Sequence, residues 1–315
     1  MTTILNEPGT NPPNPFTTPI RALLTSSNGH SRAPAPTPNE TAAHLVATVT
    51  TSPNPAKALW ELWDAFFVTV VTSPPPWDRH FALLDAVRAQ PSTLPNNVPA
   101  GSDAALLLRS YTRPSDGRLH WAELPRFGAQ WRDVHDVLEA WRDWDGVRAS
   151  PRGAASASGS GSRGDEYFLH FIDFSTALLE ATGADGEVHP INVFYACRNV
   201  LEREGGPEPR EPGAHKIPPE QVWALDVRVA AMWVRDGGEA LWGMNLNSGE
   251  LREHFAATLD YKTELWPRED GLTRERWRLW GERLRVLSTE ERNFDEETRA
   301  VITEAANVVE DILAR

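Results

Sequence analysis

The thirteen tryptophans of this 315-residue chain are unevenly placed, and none falls in residues 1–59 or 145–222. Elsewhere they sit among other apolar residues at three- and four-residue intervals, the spacing that puts side chains on one face of an α-helix. Large rings repeated along helix faces need facing helices to cover them. The chain is therefore expected to form a compact, irregular all-α domain over residues 56–315, built from about nine helices.

The individual segments support that expectation. Asn54 can cap a first helix, Pro55 suits its first position, and Leu59, Trp63, Phe66, Phe67 and Val70 form a stripe that Trp60 widens. Pro74–Pro76 separate it from a second helix near 77–90. A short helix is expected near 103–111. A longer one over 121–144 carries Trp131, Val134, Leu138 and Trp141 on one face, with Pro125 in its first turn. Helical spacing resumes over 166–181 and 190–201. Pro219 opens a further helix, which Gly237-Gly238 is expected to end near Arg235. Next comes a helix from Ser248 with Leu251, Phe255, Leu259 and Leu265. A Thr273-capped helix follows with Trp277, Trp280, Leu284 and Leu287, and a final helix is opened by a capping box at Ser288–Glu291. No run alternates as a strand would, and no fixed repeat recurs.

Three polar stretches interrupt the pattern. Residues 1–55 hold ten of the chain's 26 prolines among Ser, Thr, Asn and Gly, and are expected to be a disordered arm with at most a short, poorly capped helix over His44–Val49. Deleting 1–50 is then expected to leave the melting temperature nearly unchanged. Residues 146–165, rich in Gly, Ser and Ala, and residues 202–219 read as flexible insertions within the one domain.

Charge narrows the functions available. With 31 basic and 44 acidic residues the formal net charge is −13, against a nucleic-acid binder and against adhesion to an anionic membrane surface. No run approaches the ~20 apolar residues of a membrane span. The start of the chain lacks the apolar core of a secretory signal, and one cysteine permits no internal disulfide. The expected protein is soluble and intracellular, cytoplasmic or nuclear.

Motifs for chemistry are sparse. Gly159–Gly164 spells G-x-G-x-x-G, but without the flanking strand and helix that give the pattern meaning. No Walker A loop, zinc-ligand spacing, H-E-x-x-H or nucleophile elbow is present, so no cofactor or metal is expected. His135 and Glu139 stand one helical turn apart, as an ordinary side-chain pair does. Cys197, in FYACRNV, reads as a buried thiol. Arg274, Arg276, Arg278, Arg283 and Arg285 scatter around Trp277 and Trp280; salt bridges and stacking within the fold account for them more simply than a phosphate site.

Four segments, LWELWDAFF (59–67), YFLHFIDFSTALL (167–179), AAMWVRDGGEALW (230–242) and GLTRERWRLWGERLRVL (271–287), together resemble a widespread fungal family of helical proteins classed as a domain of unknown function. GLTRERWRLWGERL is the most specific part. The likeness runs from about Ala56 to the C-terminus without the insertions, and the Gly/Ser stretch departs from it. It implies an all-α fold and an intracellular fungal protein, and it transfers no catalytic residue.

Two readings of function follow. The first is a protein-interaction or scaffold module that binds an unidentified protein and carries no catalytic residues. The alternative is an enzyme or small-molecule binder with a pocket between helices, lined by Trp131, His135, Trp141, Trp233, Trp277 and Arg278.

Overall fold

A computed structural model describes residues 14–25, 36–95, 98–99, 101–144, 164–204, 216–247, 249–290 and 294–315. Among them there are thirteen α-helices and no strand, only the isolated bridges Thr93–Leu119 and Trp144–Lys216. None of these helices is long and apolar enough to cross a membrane. They divide into two compact units, one reaching to Arg142 and resuming up to Phe171, the other taking Asp143, Trp144 and everything from Ile172.

The first unit contains α1 (Thr17–Thr25), α2 (Pro38–Thr51), α3 (Pro55–Thr72), α4 (Asp78–Arg88), α5 (Asp103–Leu108) and α6 (Phe127–Trp141), with the beginning of α7 (Gly164–Thr182). Helix α3 starts as its sequence dictates: Asn54 Oδ1 accepts the Lys57 N–H at 3.1 Å, and Pro55 occupies the first turn. It is the axis of this unit, buried along most of its length, with α1, α2, α5 and α6 against it.

The expectation of a disordered arm does not extend to residues 14–25 and 36–55. Phe16, Ile20 and Leu23 of one segment and Leu45, Val46 and Val49 of the other are buried, and α1 and α2 pack on each other, α3 and α4. Nor is α2 poorly capped. Thr37 Oγ1 accepts the Glu40 N–H at 3.2 Å, and Glu40 Oε2 accepts the Thr37 N–H at 2.9 Å, a complete capping box two turns upstream of the short helix expected. The rest of the expected arm lies outside the described residues.

The long helix expected over 121–144 is two elements. A 3₁₀ turn at Trp121–Glu123 is separated from α6 by Leu124 and Arg126, whose φ angles of 43° and 71° lie in the left-handed region. The intervening Pro125 offers its carbonyl to the buried indole N–H of Trp63, at 2.8 Å, which fixes the corner against α3. Pro125 thus precedes α6 rather than sitting in its first turn.

The second unit contains the remainder of α7, then α8 (Ile191–Val200), α9 (Pro219–Gly243), α10 (Gly249–His254), α11 (Ala256–Leu259), α12 (Arg274–Ser288) and α13 (Glu296–Ala314). Helix α9 packs on α8 and α13, and α12 on α13. Gly237-Gly238 does not end α9, which continues to Gly243. A Cβ on Gly237 would stand 2.6 Å from Leu179 Cδ2 and 2.8 Å from Val193 Cγ2. The glycine there permits close helix approach instead of a turn.

Other boundaries also move. The stretch from Ser248 forms two short helices, α10 and α11. Ser288 closes α12, its hydroxyl donating to the Arg285 carbonyl, and α13 is opened by Asp295, whose Oδ1 accepts the Thr298 N–H at 2.7 Å. Of the expected insertions, residues 146–163 and 205–215 lie outside the described set, as does nearly all of the G-x-G-x-x-G run. Glu202, assigned by sequence to the start of a flexible insertion, is wholly buried.

Candidate functional site

The six residues proposed from sequence to line a pocket fall three to each unit. Trp131 and His135, on α6, stack with ring centroids 5.3 Å apart, and Phe171 lies 5.6 Å from Trp131. His135 also stands 3.5 Å from Asp136 and 3.9 Å from Glu139. Trp141 does not complete their buried stripe, being 37% exposed in the last residue of α6. In the second unit Trp233 and Trp277 are fully buried, and Trp277 meets Trp242 and Trp280 edge-on at 5.8 and 5.0 Å. Arg278, on α12, is exposed, whereas Trp277 beside it is buried.

The arginine cluster of α12 resolves into structural contacts. Arg274 donates to the Leu313 carbonyl, Arg283 to the Arg203 carbonyl at 3.3 Å, and Arg285 pairs with Glu310. Arg276 turns inward. Its Nε and one terminal nitrogen grip Glu202 at 2.6 and 2.8 Å, and the other donates to the carbonyls of Leu259 and Gly271. The Trp280 indole N–H and the Thr263 hydroxyl supply two more hydrogen bonds to the same carboxylate, at 2.8 and 3.1 Å. Phe194 and Trp266 cover the guanidinium at 4.6 and 5.5 Å. Both charged side chains have no exposed surface. Such a pair survives burial because bidentate geometry and added donors offset its lost hydration.

Two further titratable side chains are buried as well. The Cys197 thiol is fully buried one turn before Glu202; burial and that carboxylate push its pKa well above the ordinary range, against the pull of Arg276. His80, beneath Phe66 and Trp77, has its pKa lowered to about 4 by burial and stays neutral at physiological pH. Among the described residues no group of three or more His, Cys, Asp and Glu is arranged to hold a metal ion.

One cluster of polar and aromatic side chains remains at the surface of the second unit. His189 lies against Phe255 at 5.2 Å, the Tyr195 hydroxyl is 3.3 Å from that of Thr258, and Arg198 stands 5.1 Å over the ring of Tyr261. Positions 189, 195 and 198 thus meet 255, 258 and 261 in order, so the α10–α11 segment runs alongside α8 in the same direction. His254 adds a second imidazole beside Phe255 at 4.6 Å. Burial, and then the nearness of His254, lower the His189 pKa; its Nδ1 accepts the Ile191 N–H at 3.1 Å.

Sequence reasoning missed Glu202, which lies in a polar stretch, and the Tyr195–Arg198 pair. The second had a legible signal, because the two are three residues apart on one helix face. The first had none: its side-chain partners come from 61–78 positions further along the chain.

A family model described as "Protein of unknown function (DUF3632)" matches residues 63–284, more than two thirds of the chain. The chain belongs to this family. The match takes in Trp63 at the centre of the first unit, the Glu202–Arg276 pair and the whole seam between α8 and α11, but it stops at Leu284, before α13. No curated protein and no solved structure matches the chain.

Proposed function

We propose that the chain is a protein-interaction module, soluble and intracellular, that acts through its surface. The observation that carries this reading is that its most deeply buried titratable groups and several of its indoles are committed to internal contacts. Glu202 receives four hydrogen bonds, the Cys197 thiol is held protonated, His80 is held neutral, and the indoles of Trp63, Trp121 and Trp280 each donate within their own unit. Groups committed to packing cannot also turn over a substrate. What stays available is outside: the Tyr195–Arg198–Tyr261 cluster and exposed apolar side chains such as Leu106 and Leu107 on α5. The net charge of −13 supports a protein partner over nucleic acid.

Thermal-shift measurement of the full chain against a metabolite library tests the reading. No compound class is expected to move the melting temperature by more than about a degree. A shift of several degrees from one class, saturating with concentration, would establish the small-molecule binder in its place.

A further inference from the structure

Arg198 is unusual in an acidic protein. It is half-buried, yet among the described residues no carboxylate lies within ion-pairing distance; its hydrogen-bond partner is its neighbour Asn199, whose Oδ1 takes two weak contacts at 3.3 Å. The other cations nearby are engaged. Arg252 pairs with Asp260 at 2.5 Å, Lys262 with Glu269 at 2.8 Å, and Arg276 with Glu202. The carboxylate whose field reaches Arg198 is that same Glu202, already bound on both oxygens. Burial accordingly lowers the Arg198 pKa from its ordinary value. Tyr195 and Tyr261 lie 5.4 and 5.1 Å from the guanidinium, which restrains it while leaving hydrogen-bond donors unused. Tyr261 is itself 57% exposed, so this arrangement opens to solvent.

A restrained planar fork with unused donors is suited to a carboxylate, which it can meet through two parallel hydrogen bonds. One uncompensated positive charge matches one carboxylate, whereas phosphate recognition generally gathers several arginines. We propose that Arg198, stacked with Tyr195 and Tyr261, is the point at which this protein takes hold of a glutamate or aspartate side chain on an acidic segment of a partner protein. The inference rests on the interaction-module reading and gives it a partner chemistry.

The test is a titration of the full chain with the peptide acetyl-Gly-Glu-Gly-amide at millimolar concentration in physiological salt, followed through the arginine Nε–Hε resonances. A saturable shift of the Arg198 signal is expected. The glutamine counterpart of the peptide should cause none. The dissociation constant, read from backbone amides of α8 and α11, should rise at least tenfold in Arg198→Gln and in Tyr261→Ala, and stay unchanged in Tyr261→Phe. Tyr261→Ala keeps the test valid if Arg198→Gln proves unfolded by circular dichroism. Absence of a saturable shift, equal response to the glutamine peptide, or unchanged affinity in a folded Arg198→Gln overturns the proposal. So does a phosphoserine peptide that binds tenfold more tightly than the glutamate one, which would mark a phosphate site. These failures leave the metabolite screen untouched, so the two readings fall separately.

Discussion

Single atoms decide how closely the helices of the second unit approach. Gly237→Ala places a methyl group 2.6 and 2.8 Å from Leu179 and Val193, inside contact distance, and should cost about 1–3 kcal/mol. At the next position the nearest atom to a new Cβ is Val308 Cγ1 at 3.4 Å, so Gly238→Ala should stay within about 1 kcal/mol of the parent. Denaturant titration of both variants checks the pair, and equal effects would refute the close approach at Gly237. The buried ion pair predicts a different pattern. Glu202→Leu or Arg276→Met alone leaves a partner stranded in the interior and should cost about 3–5 kcal/mol. Glu202→Leu combined with Arg276→Met should lose much less than the sum of two such losses. Additive losses in this double-mutant cycle would show that the two side chains do not depend on each other.

At the level of elements, the two N-terminal helices reverse an expectation drawn from composition. Proline content predicts a dispensable arm, but α1 and α2 bury Phe16, Ile20, Leu23, Leu45, Val46 and Val49 against α3 and α4. Removing residues 1–53 strips that cover from the centre of the first unit. At about 1.5–3 kcal/mol for each large apolar side chain, the loss exceeds 5 kcal/mol and should lower the melting temperature by more than about 10 °C. A truncated chain that melts with the parent would show that the two helices add nothing to stability. Proline content misleads here because Pro38 stands in a first helical turn, where the missing N–H costs nothing. The same misreading in reverse occurs at Gly237-Gly238, where a terminator in sequence is a contact point in space.

For the molecule as a whole, acid should weaken folding through His80 before the carboxylates titrate. Folded, this ring protonates near pH 4; unfolded, near 6.5. Above pH 6.5 neither state binds the proton and stability is complete. As the pH falls toward 4 the unfolded chain takes up a proton that the folded one refuses, and about 3 kcal/mol is lost. His189, lowered in the same direction, adds to the slope. Glu40, Asp116 and Asp295, held below their ordinary values by backbone hydrogen bonds, lose their contributions only at lower pH. Denaturant titrations between pH 7 and 4.5 should show His80→Leu with a distinctly flatter dependence, and an unchanged slope would remove His80 as its source. Fold class was legible in the sequence because side-chain periodicity is a local property, and a stripe such as Val134–Leu138 must be covered whichever helix covers it. The segments that resemble the family were legible for the same reason, being runs of neighbouring residues. Which faces close on one another was not: Glu202 becomes interior only because Thr263, Arg276 and Trp280 arrive from elsewhere in the chain, and Tyr261 reaches Arg198 from another segment. A charged side chain has no burial of its own; hydration favours leaving it outside until the rest of the fold brings enough donors to replace the water.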